Sequence, residues 1–124
     1  MLGDASFVAF IPVPDLDVAK DFYVDTLGLT MLSASPFAIV VETGGTAVRL
    51  TPVPDFQPQP FTVAGWEVAN ITKEIDALVA AGVSFRRYEG MDQDAKGINR
   101  GGGPFIAAWF KDPAGNIIEV LQER

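Results

Sequence analysis

One order of segments occurs twice in this sequence, and the repeat constrains the fold more than any other feature. A strand-like segment at residues 7–13 and a helix-like segment at 15–28 recur at 62–68 and 70–82. Each helix-like segment begins at a residue that caps helices well and ends at a glycine, which suits a helix stop. The repeat predicts two copies of one structural unit, with a site where the copies face each other.

Each copy continues with three further strand-like segments, so each is predicted to be a β-α-β-β-β module. Between the copies, residues 52–60 contain four prolines, which exclude a helix and indicate a stiff linker. We therefore expect one α+β domain, with module one at 5–52 and module two at 61–123, forming a curved mixed-sheet cup with helices outside. The later strands are predicted at 29–32, 37–42 and 46–51, and again at 83–88, 104–111 and 116–122.

The composition excludes several kinds of chemistry. The 124 residues include no cysteine and no histidine, which excludes disulfides, thiolate nucleophiles and Ser-His-Asp catalysis. The net charge of −7, with no basic cluster beyond Arg86 and Arg87, argues against a nucleic-acid partner. No apolar run approaches the roughly 20 residues of a membrane span, and no secretory signal is visible, so we expect a cytoplasmic protein without a membrane partner.

Three segments carry motifs that occur together in one protein superfamily. They read VPDL at 13–16, FYVDTLGL at 22–29 and WFKDPAGNIIEV at 109–120. In combination they resemble the vicinal oxygen chelate superfamily, which includes glyoxalase I, bleomycin and fosfomycin resistance proteins and extradiol dioxygenases. The resemblance implies paired β-α-β-β-β modules, a homodimer and a small-molecule ligand or substrate.

The resemblance also implies four metal-ligand positions, one in the first strand and one in the last strand of each module. Here they hold Val8, Arg49, Val63 and Glu119. Valine has no donor atom and arginine is a permanent cation, so only Glu119 keeps a ligand-type side chain. We therefore predict no metal and no other cofactor. Arg49 and Glu119 are predicted to pair, within or between subunits, or else to be two unrelated surface charges.

Strand alternation predicts the side chains that line the open face of the cup. Glu119 is the best catalytic candidate among them if the protein is an enzyme. Met91 belongs to a Gly-rich loop at 89–103, which is either a lid or a flexible connector. The predicted ligand-binding residues are Phe10, Ile39, Arg49, Glu67, Arg86, Tyr88, Met91, Trp109 and Glu119.

These features favour a metal-independent protein that binds or sequesters a small molecule, like the drug-binding branch of the superfamily. Two alternatives stay open. One is a divergent lyase, isomerase or dioxygenase that acts on a small organic substrate. The other is an interaction module whose cup holds no ligand.

Overall fold

The computed structural model describes residues 1–124, which divide into two compact units, Met1–Gln57 and Pro58–Arg124. We call these units module one and module two. Each contains one mixed sheet and one α-helix, which confirms the predicted α+β class and its two modules. No helix has the length and apolar character needed to cross a membrane.

Module one is built around a four-stranded sheet. Its elements are a 3₁₀ turn (Leu2–Asp4), β1 (Val8–Val13), α1 (Leu16–Lys20), a π-helical segment (Asp21–Thr26), β2 (Thr30–Ser35), β3 (Ala38–Thr43) and β4 (Thr46–Pro52). The strand order is β1-β4-β3-β2, with β1 parallel to β4 and the other pairs antiparallel. The first and last strands of the module are therefore neighbours.

The predicted helix at 15–28 is present, but its second half is wound as a π-helix. Asp15 caps it as expected, since its Oδ1 accepts hydrogen bonds from two N–H groups of the first turn at 2.9 and 3.1 Å. Gly28 ends it with a φ of 81°, in the left-handed region that glycine tolerates. The π-helical segment contributes Tyr23, which is fully buried. The helix thus anchors a large aromatic side chain in the core of module one.

Module two repeats the same order with one strand fewer. Its elements are β5 (Thr62–Glu67), α2 (Ile71–Ala80), β6 (Phe105–Lys111) and β7 (Ile117–Glu123). The order is β5-β7-β6, with β5 parallel and β6 antiparallel to β7. Asn70 caps α2 by accepting a hydrogen bond from the N–H of Lys73 at 3.1 Å. The side chain of Gln122 accepts another from the N–H of Ile71 at 2.8 Å, which ties the helix start to β7.

The predicted strand at 83–88 is wrong. A single bridge, between Phe85 and Phe110, joins this segment to β6. One further hydrogen bond runs from the N–H of Arg86 to the carbonyl of Trp109 at 2.7 Å. The segment lies along the edge of the sheet, but it lacks the consecutive pairs of a strand.

The side chain of Gln93, in the following loop, makes hydrogen bonds to backbone groups that a regular strand would pair. The Nε2 group of Gln93 donates to the carbonyl of Arg86 at 2.9 Å and to the carbonyl of Gly97 at 2.8 Å. Its Oε1 accepts from the N–H of Tyr88 at 2.7 Å. Because backbone polar groups need partners, a glutamine that supplies them removes the need for regular strand pairing.

Residues that alternate with the predicted open-face positions should pack against the helices, and most of them form the core. Five residues expected to pack against the helices are 7 % exposed or less: Val48, Leu50, Phe110, Ile118 and Val120. Trp66 and Val68, expected in the same layer, are half-buried. Burying a side chain of this kind contributes roughly 1.5–3 kcal/mol, so each module has its own stabilising core.

Candidate functional site

The open face of each sheet is the face that alternates with these buried residues. In module one, Phe10 on β1 lies beside Arg49 on β4, and Val40 on β3 lies on the other side of Arg49. Phe10 is 64 % exposed, whereas Arg49 is half-buried. The guanidinium group of Arg49 has no hydrogen-bond or ion-pair partner within module one. This face therefore presents an aromatic ring beside an available cation.

Ile39 does not lie on this face, and its predicted position is wrong. It pairs with Leu50, and the two are 5 % and 0 % exposed. The hairpin register instead places Val40 across from Arg49. A change of one residue in register moves a side chain to the other face of a sheet, so Ile39 belongs to the core.

In module two, three predicted residues form one contiguous group. Trp109 and Glu119 are paired across β6 and β7, and the indole Nε1–H donates to Oε1 of Glu119 at 2.7 Å. Tyr88 packs edge-on against Trp109, with ring centroids 5.9 Å apart and an interplanar angle of 85°. All three side chains are half-buried. We call this group the Trp109 cluster.

Gly65 on β5 packs closely against the strand that carries Glu119. It lies next to Glu119 in the parallel register of β5 and β7. A Cβ atom at this position would lie 3.2 Å from the backbone oxygen of Glu119 and 3.5 Å from its Cβ. Glycine within a strand often marks such a close approach, and here a larger residue would press on the backbone of Glu119.

The other predicted residues of module two surround this group without forming part of it. Glu67 is exposed at the end of β5, in register with Leu121. Arg86 is exposed, and its N–H is bonded to the carbonyl of Trp109. Met91 is half-buried, and its N–H donates to the carbonyl of Tyr88 at 3.1 Å. Arg86 and Met91 therefore connect to the cluster through the backbone.

The loop at 89–103 is organised around Asp94. Its Oδ1 accepts from the N–H groups of Lys96 and Ile98, both at 2.9 Å, and its Oδ2 accepts from Nε of Arg100 at 3.1 Å. Burial raises the pKa of Asp94, but the hydrogen bonds from Ile98, Arg100 and Lys96 outweigh it, so the pKa lies below its ordinary value of 3.8. Ile98 is fully buried. The middle of the loop is thus part of the module's packed structure.

The residues present do not fit the metal site that the superfamily implies. Val8 and Val63 offer no donor atom, and Val63 lies at an irregularity in the register between β5 and β7. Arg49 would repel a divalent cation. No group of three or more histidine, cysteine, aspartate or glutamate side chains could hold a metal ion. Glu119 is one carboxylate, and Trp109 already occupies one of its oxygens.

The structural roles of two residues at this site were not predicted from the sequence. The role of Gly65 had a signal, because an isolated glycine within a strand pattern suggests close packing. The role of Gln93 had none, because its three bonds depend on how the loop folds back on residues 86–88. A glutamine in a polar loop looks the same whether or not it supports a neighbouring segment.

Comparison with known proteins identifies the family. Residues 6–120 match the family model described as Glyoxalase/Bleomycin resistance protein/Dioxygenase superfamily. No curated protein matches the sequence. Among solved structures, a glyoxalase/bleomycin resistance protein/dioxygenase from Alicyclobacillus acidocaldarius has a TM-score of 0.74 at 20 % identity, over 97 % of this chain and 92 % of that one.

Two further structures are similar over nearly their whole length. TnmS3, an antibiotic binding protein from Streptomyces sp. CB03234, has a TM-score of 0.72 at 24 % identity, over 100 % of this chain and 99 % of that one. Lactoylglutathione lyase from Agrobacterium tumefaciens has a TM-score of 0.73 at 17 % identity, over 98 % and 96 % respectively. These likenesses support the fold, and the family model spans most of the chain. The protein therefore belongs to the glyoxalase/bleomycin resistance protein/dioxygenase superfamily, as its motifs predicted.

Proposed function

We propose that this protein binds a small organic molecule on the open face of module two, without a metal ion. The observation that carries the proposal is the Trp109 cluster, in which a carboxylate is held beside two half-buried aromatic rings. Aromatic rings provide rigid stacking surface, and a positioned carboxylate provides orientation. A ligand with an aromatic ring and a cationic group matches both features.

The hydrogen bond between Trp109 and Glu119 prepares the carboxylate for such a ligand. Because Oε1 accepts the indole N–H at 2.7 Å, the carboxylate is oriented before a ligand arrives. Oε2 accepts no hydrogen bond within the module. An ammonium group of a ligand can donate to Oε2, and its charge can also interact with the face of a nearby ring.

The side chains at the four family positions support a mechanism that does not need a metal. Two valines and one arginine stand where a metal enzyme needs donor atoms, so binding must come from aromatic and charged groups. One structural neighbour, TnmS3, is described as an antibiotic binding protein, which supports a binding role for the same fold.

A second candidate is a divergent lyase, isomerase or dioxygenase acting on a small organic substrate. Glu119 favours it, because an acid at a family ligand position can serve as a general base. Another neighbour is a lactoylglutathione lyase. Metal analysis of the purified protein separates the metal-independent proposal from a metal-dependent form of this enzyme. Stoichiometric nickel, zinc, manganese or iron would overturn the metal-independent proposal.

A thermal-shift screen with cationic aromatic compounds tests the binding proposal. We expect at least one compound to raise the unfolding temperature. Replacing Glu119 by Gln should then weaken its binding about tenfold, because the charge is lost and the shape is kept. Glu123→Gln removes a charge from the same strand and is the matched control, with little expected effect. A failure of all compound classes, or equal effects of the two variants, would contradict the proposal.

Trp109→Phe tests the orienting hydrogen bond. The variant keeps a ring beside Tyr88 but removes the N–H that holds Glu119, so we expect a loss of about 1 kcal/mol in unfolding free energy and weaker ligand binding. Trp66→Phe is the control for ligand affinity, because it removes an indole from the other face of module two and should leave binding unchanged. Unfolding in urea and titration of a hit compound provide the two measurements. Unchanged affinity in Trp109→Phe would show that the bond has no role in binding.

We further propose that the protein is a homodimer, and that Arg49 and Glu119 form an ion pair within one subunit or between two. Module one leaves large apolar side chains uncovered, with Phe37 80 % and Leu32 57 % exposed. Uncovered apolar surface of this kind often marks a protein interface.

Sedimentation velocity should give the mass of two subunits. Arg49→Ala should weaken the dimer if the ion pair with Glu119 crosses the interface. Lys111→Ala also removes one positive charge, and as the control it should leave the dimer unchanged. A monomer at every concentration would contradict the dimer.

A further inference from the structure

Module two has a concave surface on the helix side of its sheet. It is a groove of about 540 Å³ between α2 and the segments at 83–87 and 95–97. This volume falls within the roughly 300–1,000 Å³ typical of small-molecule pockets. The groove is therefore large enough to hold a small organic molecule.

The groove is separate from the Trp109 cluster. Phe85 lines it and packs against Phe110, with ring centroids 5.5 Å apart. Phe110 is buried on the helix-packed face, whereas its neighbour Trp109 lies on the open face. Because successive residues of a strand point to opposite faces, the two candidate sites lie on opposite sides of the same sheet.

The groove combines an apolar floor with a partly exposed rim. Ile75 on α2 and Val83 after it are 2 % and 6 % exposed, and both line the groove. Val79, one helical turn from Ile75, is 54 % exposed at the same surface. An apolar chain lying along these side chains would be removed from water, which favours binding.

The charges of the groove differ in sign from those of the whole chain. Its lining carries two cations, Arg87 and Lys96, and one anion, Asp76, whereas the chain has a net charge of −7. Arg87 is held in place, because its Nη2 donates to the carbonyls of Gln93 and Asp94 at 3.1 and 2.8 Å. The groove thus has an excess of one positive charge on an acidic protein.

Lys96 and Asp76 form an ion pair that joins the two walls. Their side chains are 43 % and 58 % exposed, so the pair is in contact with solvent. Exposed pairs of this kind contribute little to stability. An incoming anion can therefore take the place of Asp76 at the Lys96 ammonium group without a large loss.

We propose that this groove binds a small organic anion with an apolar tail, such as a medium-chain carboxylate. The tail packs on Ile75, Val79 and Val83, and the carboxylate is bound by Lys96 with Arg87 nearby. The proposal does not depend on the function of the open face.

Decanoate tests the proposal, with decyltrimethylammonium as a probe that has the same tail and the opposite charge. Backbone amide spectra of the full chain should show decanoate shifting the signals of Ser84 and Gly97, which line the groove. Decyltrimethylammonium should not shift them, although the acidic chain as a whole attracts cations. A decanoate response at the Trp109 indole in place of the groove would overturn the proposal. So would the absence of any response.

Three variants then distinguish the groove from general surface binding. Lys96→Gln should weaken decanoate binding about fivefold, the range of an exposed ion pair. Asp76→Asn should tighten it, because the competing carboxylate is removed. Lys73→Gln, on the same helix but outside the groove, should leave it unchanged. Circular dichroism checks that each variant is folded. Equal weakening by all three, or weaker binding in Asp76→Asn, would overturn the proposal.

Discussion

Modules one and two share a connectivity but complete their sheets by different means. In module one, β2 pairs with β3 along an antiparallel ladder. In module two, the corresponding segment makes one bridge to β6, and Gln93 satisfies the backbone groups of Arg86 and Tyr88. The parallel pairing of first and last strands persists in both. The comparison shows that this pairing defines the module, whereas a single side chain can substitute for its edge strand.

The open faces of the two modules also carry different side chains. Phe10 lies beside Arg49 in module one, and Gly65 lies beside Glu119 in module two. One module thus presents a ring next to a cation, and the other a glycine next to an anion that Trp109 holds. The buried faces of the same strands are apolar in both modules. Backbone pairing does not depend on what the open face carries, so that face is free to take on different chemistry.

The largest expected loss of unfolding free energy comes from substitutions in the central strands. Leu50 on β4 and Val120 on β7 are 0 % and 3 % exposed. We expect Leu50→Ala to lower the unfolding free energy by about 3 kcal/mol, because it leaves a cavity in a packed core. Val120→Ala should cost about 1 kcal/mol less, since a smaller group is removed. Urea unfolding measures both. A loss below about 1 kcal/mol in Leu50→Ala would mean that the core of module one adapts to the change.

A smaller loss of unfolding free energy is expected at Gln93, where module two differs from module one. Gln93→Ala removes three hydrogen bonds from the segment at 86–97, and we expect a loss of about 1–2 kcal/mol, since water can replace part of them. Hydrogen exchange at the amide of Tyr88 should become faster. Gln93→Glu keeps the acceptor for that amide but loses both donors, so Tyr88 should stay more protected than in Gln93→Ala. Unchanged exchange in both variants would show that Gln93 does not hold the segment.

The smallest expected effect is a pH dependence confined to module two. The pKa of Asp94 is lowered in the folded protein, so its charged form stabilises the loop above the ordinary value of 3.8. This contribution is lost as the pH falls through the lower, folded-state pKa. Protection of the Ile98 amide should therefore decrease below about pH 4. Asp94→Asn should remove this dependence, whereas Asp92→Asn should retain it.

The sequence predicted the parts of the fold that repeat a local pattern. Helix starts at Asp15 and Asn70, the stop at Gly28 and the buried residues of β4 and β7 follow from capping, glycine and alternation. It failed where distant contacts decide. Gln93 replaced a strand, and that outcome is not encoded in local spacing. Ile39 was a different failure, because the pairing of Thr43 with Thr46 across a two-residue turn fixes the register that places Ile39 beside Leu50.

The candidate site was predicted only in part, for the same reason. Trp109 and Glu119 were placed on one face by alternation across a hairpin, and the structure shows them bonded. The orientation of Tyr88 toward Trp109 required the segment at 83–88 to follow the sheet edge. The groove beside α2 had no sequence signal, because its walls come from a helix and a loop that meet only in the folded module.

The position of β4 and β7 has a consequence for how the chain forms during translation. Each is the last strand of its module to be synthesised, yet each lies between two other strands of its sheet. The earlier strands therefore wait without their central partner until the ribosome has delivered it. Module one can close once residue 52 has left the exit tunnel, while module two is still being made. In each module, the delay leaves strand edges unpaired until the central strand arrives.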